Sequence, residues 1–211
     1  MRSAQLDGWE WLGQPLALDL ANSLPRIRPG ETRDLLASDD ELDRWLTSQA
    51  DRLPRVGQGS ERLVAFRELR DTLHEALSAA ARGDPLPART TRALNAASAR
   101  SDGHVRLRVR DGVTKAELAG SGTALDRTLS TIARSAIELL ASPDRERLRT
   151  CSAPSCGFFF LARPDQEWCS IPCGNRARAA RHYARRRANE HSPTAEGNVS
   201  LRAPKAQRSL R

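Results

Sequence analysis

The sequence predicts an α+β fold, in which an N-terminal domain over residues 1–144 combines two β-hairpins with about four helices. A small module over residues 145–190 follows and ends in a basic helix, and the polar tail over residues 191–211 is expected to be disordered. Three observations support this prediction. Two segments alternate apolar and polar residues, four segments repeat apolar residues at helical spacing, and all four cysteines lie close together, just ahead of a run of arginines.

Each of the two segments with strand periodicity surrounds a turn signal. Residues 8–20, "GWEWLGQPLALDL", alternate on both sides of a Gly-Gln-Pro break and predict the first hairpin. Residues 104–118 alternate valine and leucine with arginine around Asp111-Gly112, and predict the second hairpin. We expect the two hairpins to share a sheet and the arginines to line a solvent-exposed strand face, with an anion site as the alternative.

Capping signals and apolar periodicity predict the helices. Two helix starts carry a capping box, in which a hydroxyl side chain caps the helix and an acid three residues later reaches back: Ser38 with Glu41, and Thr123 with Asp126. A longer helix is predicted from Ser60 to the "RGDPLP" break, and another over roughly residues 88–99. The helix that begins at Thr123 carries an apolar stripe as far as Ala141.

The cysteines have the spacing C-x4-C-x12-C-x3-C, which predicts one structural zinc ion with Cys151, Cys156, Cys169 and Cys173 as its ligands. The twelve-residue connector folds back as a hairpin in this interpretation, and the second pair leads into a helix, as in a treble clef. The module is too small to fold on apolar burial alone, so we expect metal loss to unfold it and to leave the N-terminal helices intact. An iron–sulfur cluster is the alternative for four thiolates.

Positive charge is concentrated in the last third of the chain. Of the formal net charge of +8, residues 1–144 contribute −1 and residues 145–211 contribute +9. A localised positive field favours a polyanionic partner, most often nucleic acid.

The helix after the metal site carries much of this charge, and no acidic residue lies between Cys169 and Asn189. Guanidinium groups match phosphate oxygens, whereas a solvent-exposed helix face usually mixes both signs. The sequence therefore predicts DNA as the partner, with RNA or an acidic protein as the alternative. Four alanines, at positions 177, 180, 184 and 188, are predicted to pack on the metal hairpin. The predicted DNA-binding residues are Asn175, Arg176, Arg178, Arg181, Arg185 and Arg186.

Other classes of function lack support in the sequence. There is no apolar run long enough to span a membrane and no secretory leader, so we expect a cytoplasmic protein without membrane contact. We find no G-x-S-x-G motif, no H-E-x-x-H motif and no phosphate-binding glycine loop, and we predict no enzymatic activity and no catalytic residue.

The metal module resembles the CGNR zinc finger, whose name is spelled out by Cys173-Gly174-Asn175-Arg176 after "WCS" at residues 168–170. The upstream "LRTCSAPSCGFFF" resembles the family's first cysteine pair and aromatic strand. The N-terminal domain resembles the ABATE domain through "LALDLANSL" at residues 16–24 and "DLLASDDELDRWL" at residues 34–46.

The resemblance implies a stress-response transcription regulator with a DNA-binding zinc finger. The N-terminal domain would then sense a small-molecule effector or form a homodimer. Asp19 and Asn22 follow the first predicted hairpin and are candidate residues of a ligand pocket; an Asp/Asn turn that caps nearby backbone groups is the alternative.

Overall fold

The computed structural model describes residues 5–6, 9–10, 14–28, 31–110 and 113–190. Within these residues the chain is a mixture of helices and a few short strands, as the sequence predicts. The helices are α1 (Leu16–Ala21), α2 (Asp39–Ser48), α3 (Arg62–Arg82), α4 (Ala88–Ser98), α5 (Ala124–Ala141) and α6 (Ile171–Glu190). The strands are β1 (Gln5–Leu6), β2 (Trp9–Glu10), β3 (Arg26–Arg28), β4 (Glu31–Thr32), β5 (His104–Arg110), β6 (Val113–Ala119), β7 (Leu148–Thr150) and β8 (Phe159–Leu161).

The first predicted hairpin is wrong in its second half, because the leucines taken for a strand form the helix α1. Pro15 precedes the helix with an extended ψ of 141°. All six residues of α1 are buried. A helix buried on every side has no polar face, so its short apolar run carries no helical periodicity that would distinguish it from a strand. The turn over residues 11–13 lies outside the described residues.

The predicted helix starts are confirmed at α2, where Ser38 is the N-cap, and at α5, where the complete capping box is present. The Ser38 hydroxyl accepts a hydrogen bond from the backbone N–H of Glu41 at 3.3 Å. Thr123 and Asp126 form the complete reciprocal box, in which each side chain accepts from the other residue's backbone N–H. The longer helix α3 begins at Arg62, two residues after the predicted start, and ends at Gly83, whose φ of 75° is readily adopted by glycine.

The main core lies where α1 packs against α3 and α5. Its fully buried side chains are supplied by all three helices and by α2. Asp34 fixes the segment before α2 by an ion pair with the buried Arg70, with Nη1 to Oδ1 at 2.5 Å. This pairing with Arg70 lowers the pKa of Asp34 despite its partial burial.

The second predicted hairpin coincides with β5 and β6, which pair antiparallel from His104 opposite Ala119 to Arg110 opposite Val113. Its exposed Arg106 and Arg108 both pair with Glu117, on a solvent-accessible face as expected. Leu107 and Val109 are also exposed. The described strands form four separate two-stranded sheets, so the expectation of one shared sheet is wrong.

Strand β8 contributes side chains to two different cores. Phe159 is buried in the main core, where its ring meets the edge of His74 at a centroid distance of 4.9 Å. The next residue, Phe160, is buried among the cysteines. Successive side chains of a strand point to opposite faces, so β8 separates the two cores and belongs to both. The domain boundary near residue 144 stays a prediction, but the chain makes extensive contacts across it.

The side chain of Asn22 fixes β8 to the N-terminal helices. Its Nδ2 donates to the carbonyl oxygen of Phe159 at 3.0 Å, and its Oδ1 accepts from the N–H of Phe159 at 2.8 Å. Both bonds are buried. The amide therefore satisfies the outer edge of β8 as a neighbouring strand would.

Replacing this amide tests its structural role. We expect Asn22→Ala to lower the free energy of unfolding by about 2–6 kcal/mol, because two buried backbone groups of Phe159 lose their partners at about 1–3 kcal/mol each. Urea unfolding followed by circular dichroism measures the change. The matched control is Asn95→Ala on the exposed face of α4, with an expected change within about 0.5 kcal/mol. Equal effects of the two substitutions would show that the contact contributes nothing.

Candidate metal centre and basic helix

The four cysteines meet where two short segments of the chain approach each other. Cys151 and Cys156 flank a tight turn between β7 and β8, while Cys169 precedes α6 and Cys173 lies in its first turn. All four are buried, and their Sγ atoms lie within 4.8 Å of one another.

The sulfur positions fit a single tetrahedral ion. A tetrahedron with zinc–sulfur bonds of about 2.3 Å has edges of about 3.8 Å. The Sγ of Cys169 lies 3.7 Å from that of Cys156 and 3.4 Å from that of Cys173. Four thiolate ligands also complete a tetrahedral shell and leave no position for a reacting water, so the donor set is that of a structural site.

The turn between Cys151 and Cys156, the first knuckle of the site, has a backbone that brings both sulfurs toward one ion. Ser155 has a φ of 57°, which a residue with a side chain seldom adopts, and the Cys156 N–H donates to the carbonyl of Ala153 at 3.1 Å. The Cys151 N–H donates to the carbonyl of Phe158 at 2.8 Å and closes the loop. A strained turn of this kind persists where its surroundings hold it, and an ion bound to both cysteines would supply that restraint.

Hydrogen bonds among the thiols shift the pKa values of individual cysteines in opposite directions. The pKa of Cys173 is lowered, chiefly by a hydrogen bond from Cys151, whereas the pKa of Cys169 is raised, chiefly by its hydrogen bond with Cys151. Four adjacent thiols therefore do not ionise independently of one another. A bound cation replaces the thiol protons, so metal binding releases protons and weakens as the pH falls.

A small core surrounds the cysteines. Phe160, Ala153 and Ala177 are buried there, and the Trp168 ring covers one side. Trp168 packs beneath Gly174, where an added Cβ would lie 3.0 Å from the ring. The close approach of tryptophan and helix thus depends on glycine at this position, which is the glycine of the Cys-Gly-Asn-Arg motif.

Helix α6 leaves this core after its second turn. Ala177 is buried, but residues 178–188 are all exposed. The predicted packing on the metal hairpin is therefore confirmed for Ala177 and wrong for Ala180, Ala184 and Ala188, since the helix extends beyond the hairpin of β7 and β8 and into solvent. Alanine is the strongest helix former, and this property accounts for its presence at exposed positions.

The predicted DNA-binding residues differ in their surroundings. Arg176 donates to the Sγ of Cys173 at 3.0 Å and to the carbonyl of Pro154 at 3.2 Å, and so joins the helix to the first knuckle. Arg178 and Arg181 lie over the Trp168 ring, with 5.8 and 5.2 Å from guanidinium carbon to ring centroid. Asn175, Arg185 and Arg186 lie on the exposed surface of the helix.

Sequence reasoning missed the contact of Arg176 with the metal site. Its position three residues after Cys173 was the available signal, because a side chain at i+3 lies beside the ligand on the same side of a helix.

The structure gives the two candidate pocket residues structural partners. The buried carboxylate of Asp19 accepts a hydrogen bond from Arg52 Nη1 at 2.6 Å. Burial raises the pKa of Asp19, although Arg52 opposes that shift. Asn22 holds Phe159 as described above. Both side chains thus have roles in the fold, and a ligand role for them stays a prediction.

Comparison with protein families gives two matches. The ABATE family, described as "Putative stress-induced transcription regulator", matches residues 14–143. The CGNR zinc finger family matches residues 147–186. No curated protein matches the chain. Among the described residues, no helix combines the length and apolar character needed to cross a membrane.

Removing one ligand tests how far the metal centre supports the fold. We expect the intact chain to hold one metal ion by elemental analysis, and Cys169→Ser to lose it. The sequence alone predicts that the N-terminal helices stay intact when the metal is lost. Because Leu148 and Phe159 belong to the main core, the structure instead predicts faster amide hydrogen exchange both in residues 148–161 and in α1. The control is Ser152→Ala, which changes an exposed residue of the same turn. This variant should keep the metal ion and the wild-type rate of amide hydrogen exchange. Unchanged exchange in α1 of the metal-free variant would show that the two cores are independent.

The contact between Arg176 and Cys173 gives a separate prediction. We expect Arg176→Gln to weaken metal binding about tenfold, because groups that hydrogen-bond to metal ligands typically contribute 10- to 100-fold in affinity. Competition with a chromophoric chelator measures the affinity. Arg185→Gln, which removes the same charge from the exposed part of the helix, should leave it unchanged. If both variants lost affinity equally, the effect would come from net charge and not from the contact.

Proposed function

The chain belongs to the ABATE family, and from that premise we propose that it is a DNA-binding transcription regulator. In this proposal Cys151, Cys156, Cys169 and Cys173 hold one structural zinc ion, whose role is to fix the start of α6. The chemistry that zinc supplies there is coordination alone, since the four thiolates leave no open position. The proposal assigns no catalytic residue, and the family description supports a role in the response to stress.

The observation that carries the proposal is the exposed stretch of α6 over residues 178–188. It contains five arginines and no acidic residue, and it projects from the metal centre with every residue exposed. Like charges one helical turn apart are mildly destabilising. A polyanion that binds this surface replaces the repulsion with charge-assisted hydrogen bonds.

The shape of the surface favours duplex DNA. The major groove is about 12 Å wide and admits an α-helix, whereas the deep, narrow groove of an RNA duplex excludes side chains. An RNA- or protein-binding adaptor that uses the same helix is the alternative, and preference for single-stranded RNA or an acidic protein would favour it.

The contacts of Asn22 support a role for the N-terminal domain in regulation. Because Asn22 and Phe159 connect α1 to β8, a small-molecule effector or a second copy of the chain that shifts α1 would also shift the strand that carries the metal centre. Effector binding and dimerisation are thus both compatible routes for control of α6.

The dependence of DNA binding on salt tests the proposal. Each phosphate neutralised contributes about −0.9 to the slope of log K against log salt. With Arg176 held at the metal site, about four cations remain on the predicted surface, and we expect a slope of roughly −3 to −4. Arg185→Gln and Arg186→Gln should each reduce its magnitude by about 0.9, measured by fluorescence anisotropy with a labelled duplex.

The matched control is Arg92→Gln, an exposed arginine of α4 that lies far from the metal site in sequence, and it should leave the slope unchanged. Binding that is absent or independent of salt would rule out the proposal. Tighter binding to single-stranded RNA than to the duplex would favour the adaptor.

A further inference from the structure

We propose that the first two turns of α6 read base pairs, with Ile171 and Asn175 as the reading residues and Arg178 as the residue that positions Asn175. The expected target is an A·T-containing step in the major groove. This inference rests on the proposed function and adds to it that the two ends of α6 have different roles in binding DNA. Its metal-proximal end would determine sequence preference, while its distal end would supply affinity.

The spacing of these residues places them on one side of the helix. Ile171, Asn175 and Arg178 follow one another at intervals of four and three residues, which align along an α-helix. At 100° per residue this line lies roughly opposite Cys173 and Ala177, the residues that face the metal core. Ile171 and Asn175 are exposed on this side of the helix and accessible to a duplex, while Arg178 lies beside them over the Trp168 ring.

Ile171 is unusually accessible for an apolar residue at the start of a helix. It is 80% exposed, although it is only two residues from a buried metal ligand. A methyl-bearing side chain that reaches into the major groove can contact the C5-methyl group of thymine, which marks an A·T pair.

Asn175 is held in a defined orientation. Arg178 Nη2 donates to its Oδ1 at 2.6 Å, and a guanidinium has no acceptor, so the oxygen of the amide must face Arg178. The two Nδ2 hydrogens remain for another acceptor, and Oδ1 retains a second lone pair. Together these groups match the N7 acceptor and N6 donor of adenine.

The orientation of Arg178 is in turn supported by the ring of Trp168. Its guanidinium lies over the Trp168 ring, and Trp168 is packed against Gly174. A cation over an aromatic face is attracted by the ring quadrupole. The sequence Trp168, Arg178, Asn175 is therefore a supported side-chain array that begins in the metal core, which is the arrangement expected of a preorganised recognition site.

Charges near this end of the helix disfavour phosphate. Asp165 and Glu167 line the same groove as Ile171 and Arg178, and like charges placed together across an interface are unfavourable. No acid follows until Glu190. Since ten residues of helix span about 15 Å, a helix with Asn175 against the bases would carry Arg185 out of the groove, about 12 Å wide, to the phosphate backbone.

Selection from a duplex library tests the inference with the metal-loaded full chain. The probe is a duplex with twelve randomised base pairs. We expect the wild type to enrich at least one A·T pair, and Asn175→Ala and Ile171→Ala each to lower the preference at one position by about tenfold. Neither substitution should change the salt slope, because neither removes a charge. Metal content and circular dichroism verify that each variant is folded.

Arg178→Lys separates positioning from charge. Lysine keeps the cation but lacks the planar fork that contacts Asn175 and stacks on Trp168. We expect this variant to keep the salt slope and to lose base preference at the position lost in Asn175→Ala. Arg185→Gln should do the reverse, with a smaller slope and unchanged preference.

The outcomes distinguish this inference from the proposed function. Salt-dependent duplex binding without enrichment of any base, or an unchanged preference in Asn175→Ala, overturns the inference and leaves a DNA-binding protein. Absence of salt-dependent duplex binding in the wild type removes the proposed function itself.

Discussion

The two hydrogen bonds between the Asn22 side chain and the Phe159 backbone fix the geometry on which the C-terminal module depends. They join α1, a helix buried on all sides, to the strand that separates the two cores. Phe159 enters the helical core and Phe160 enters the metal core, so neither ring can shift without moving the other. The direction in which α6 projects is therefore determined by three linked contacts, namely those of Asn22, of the two phenylalanines and of the cysteine ligands.

Charge along α6 changes its role with distance from the metal centre. A divalent ion with four thiolates carries a formal charge of about −2, and Arg176 lies against one of the sulfurs. The next two arginines of the exposed stretch lie on an aromatic ring, and the arginines farther along are exposed. The same residue type thus stabilises the site at one end of the helix and is available to a partner at the other.

The parts of the fold that depend on local sequence could be predicted, and the parts that depend on distant partners could not. The Ser38 cap, the Thr123 capping box and the clustered cysteines are short patterns with direct physical causes. Helix α1 was not predicted as a helix, because full burial removes the polar face by which an amphipathic helix is recognised. The Asn22 contact joins residues 137 apart, and a single sequence has no signal that pairs a buried amide with a particular strand edge. The contact of Arg176 with Cys173 was not predicted, because six arginines in one helix suggest the same role for all of them.

The exposed part of α6 has to hold its shape with little help from packing, and its composition reflects this requirement. Every residue from 178 to 188 is exposed, and isolated helices of such length are marginal in water. Alanine and arginine are both strong helix formers, which favours the helix locally, whereas repulsion among the arginines opposes it. Binding a polyanion would remove the repulsion among the arginines and leave the helix propensity of alanine and arginine unopposed. The metal core holds the first two turns rigid, so a partner has to order only the distal turns, at a lower entropic cost than a free segment of the same sequence would require.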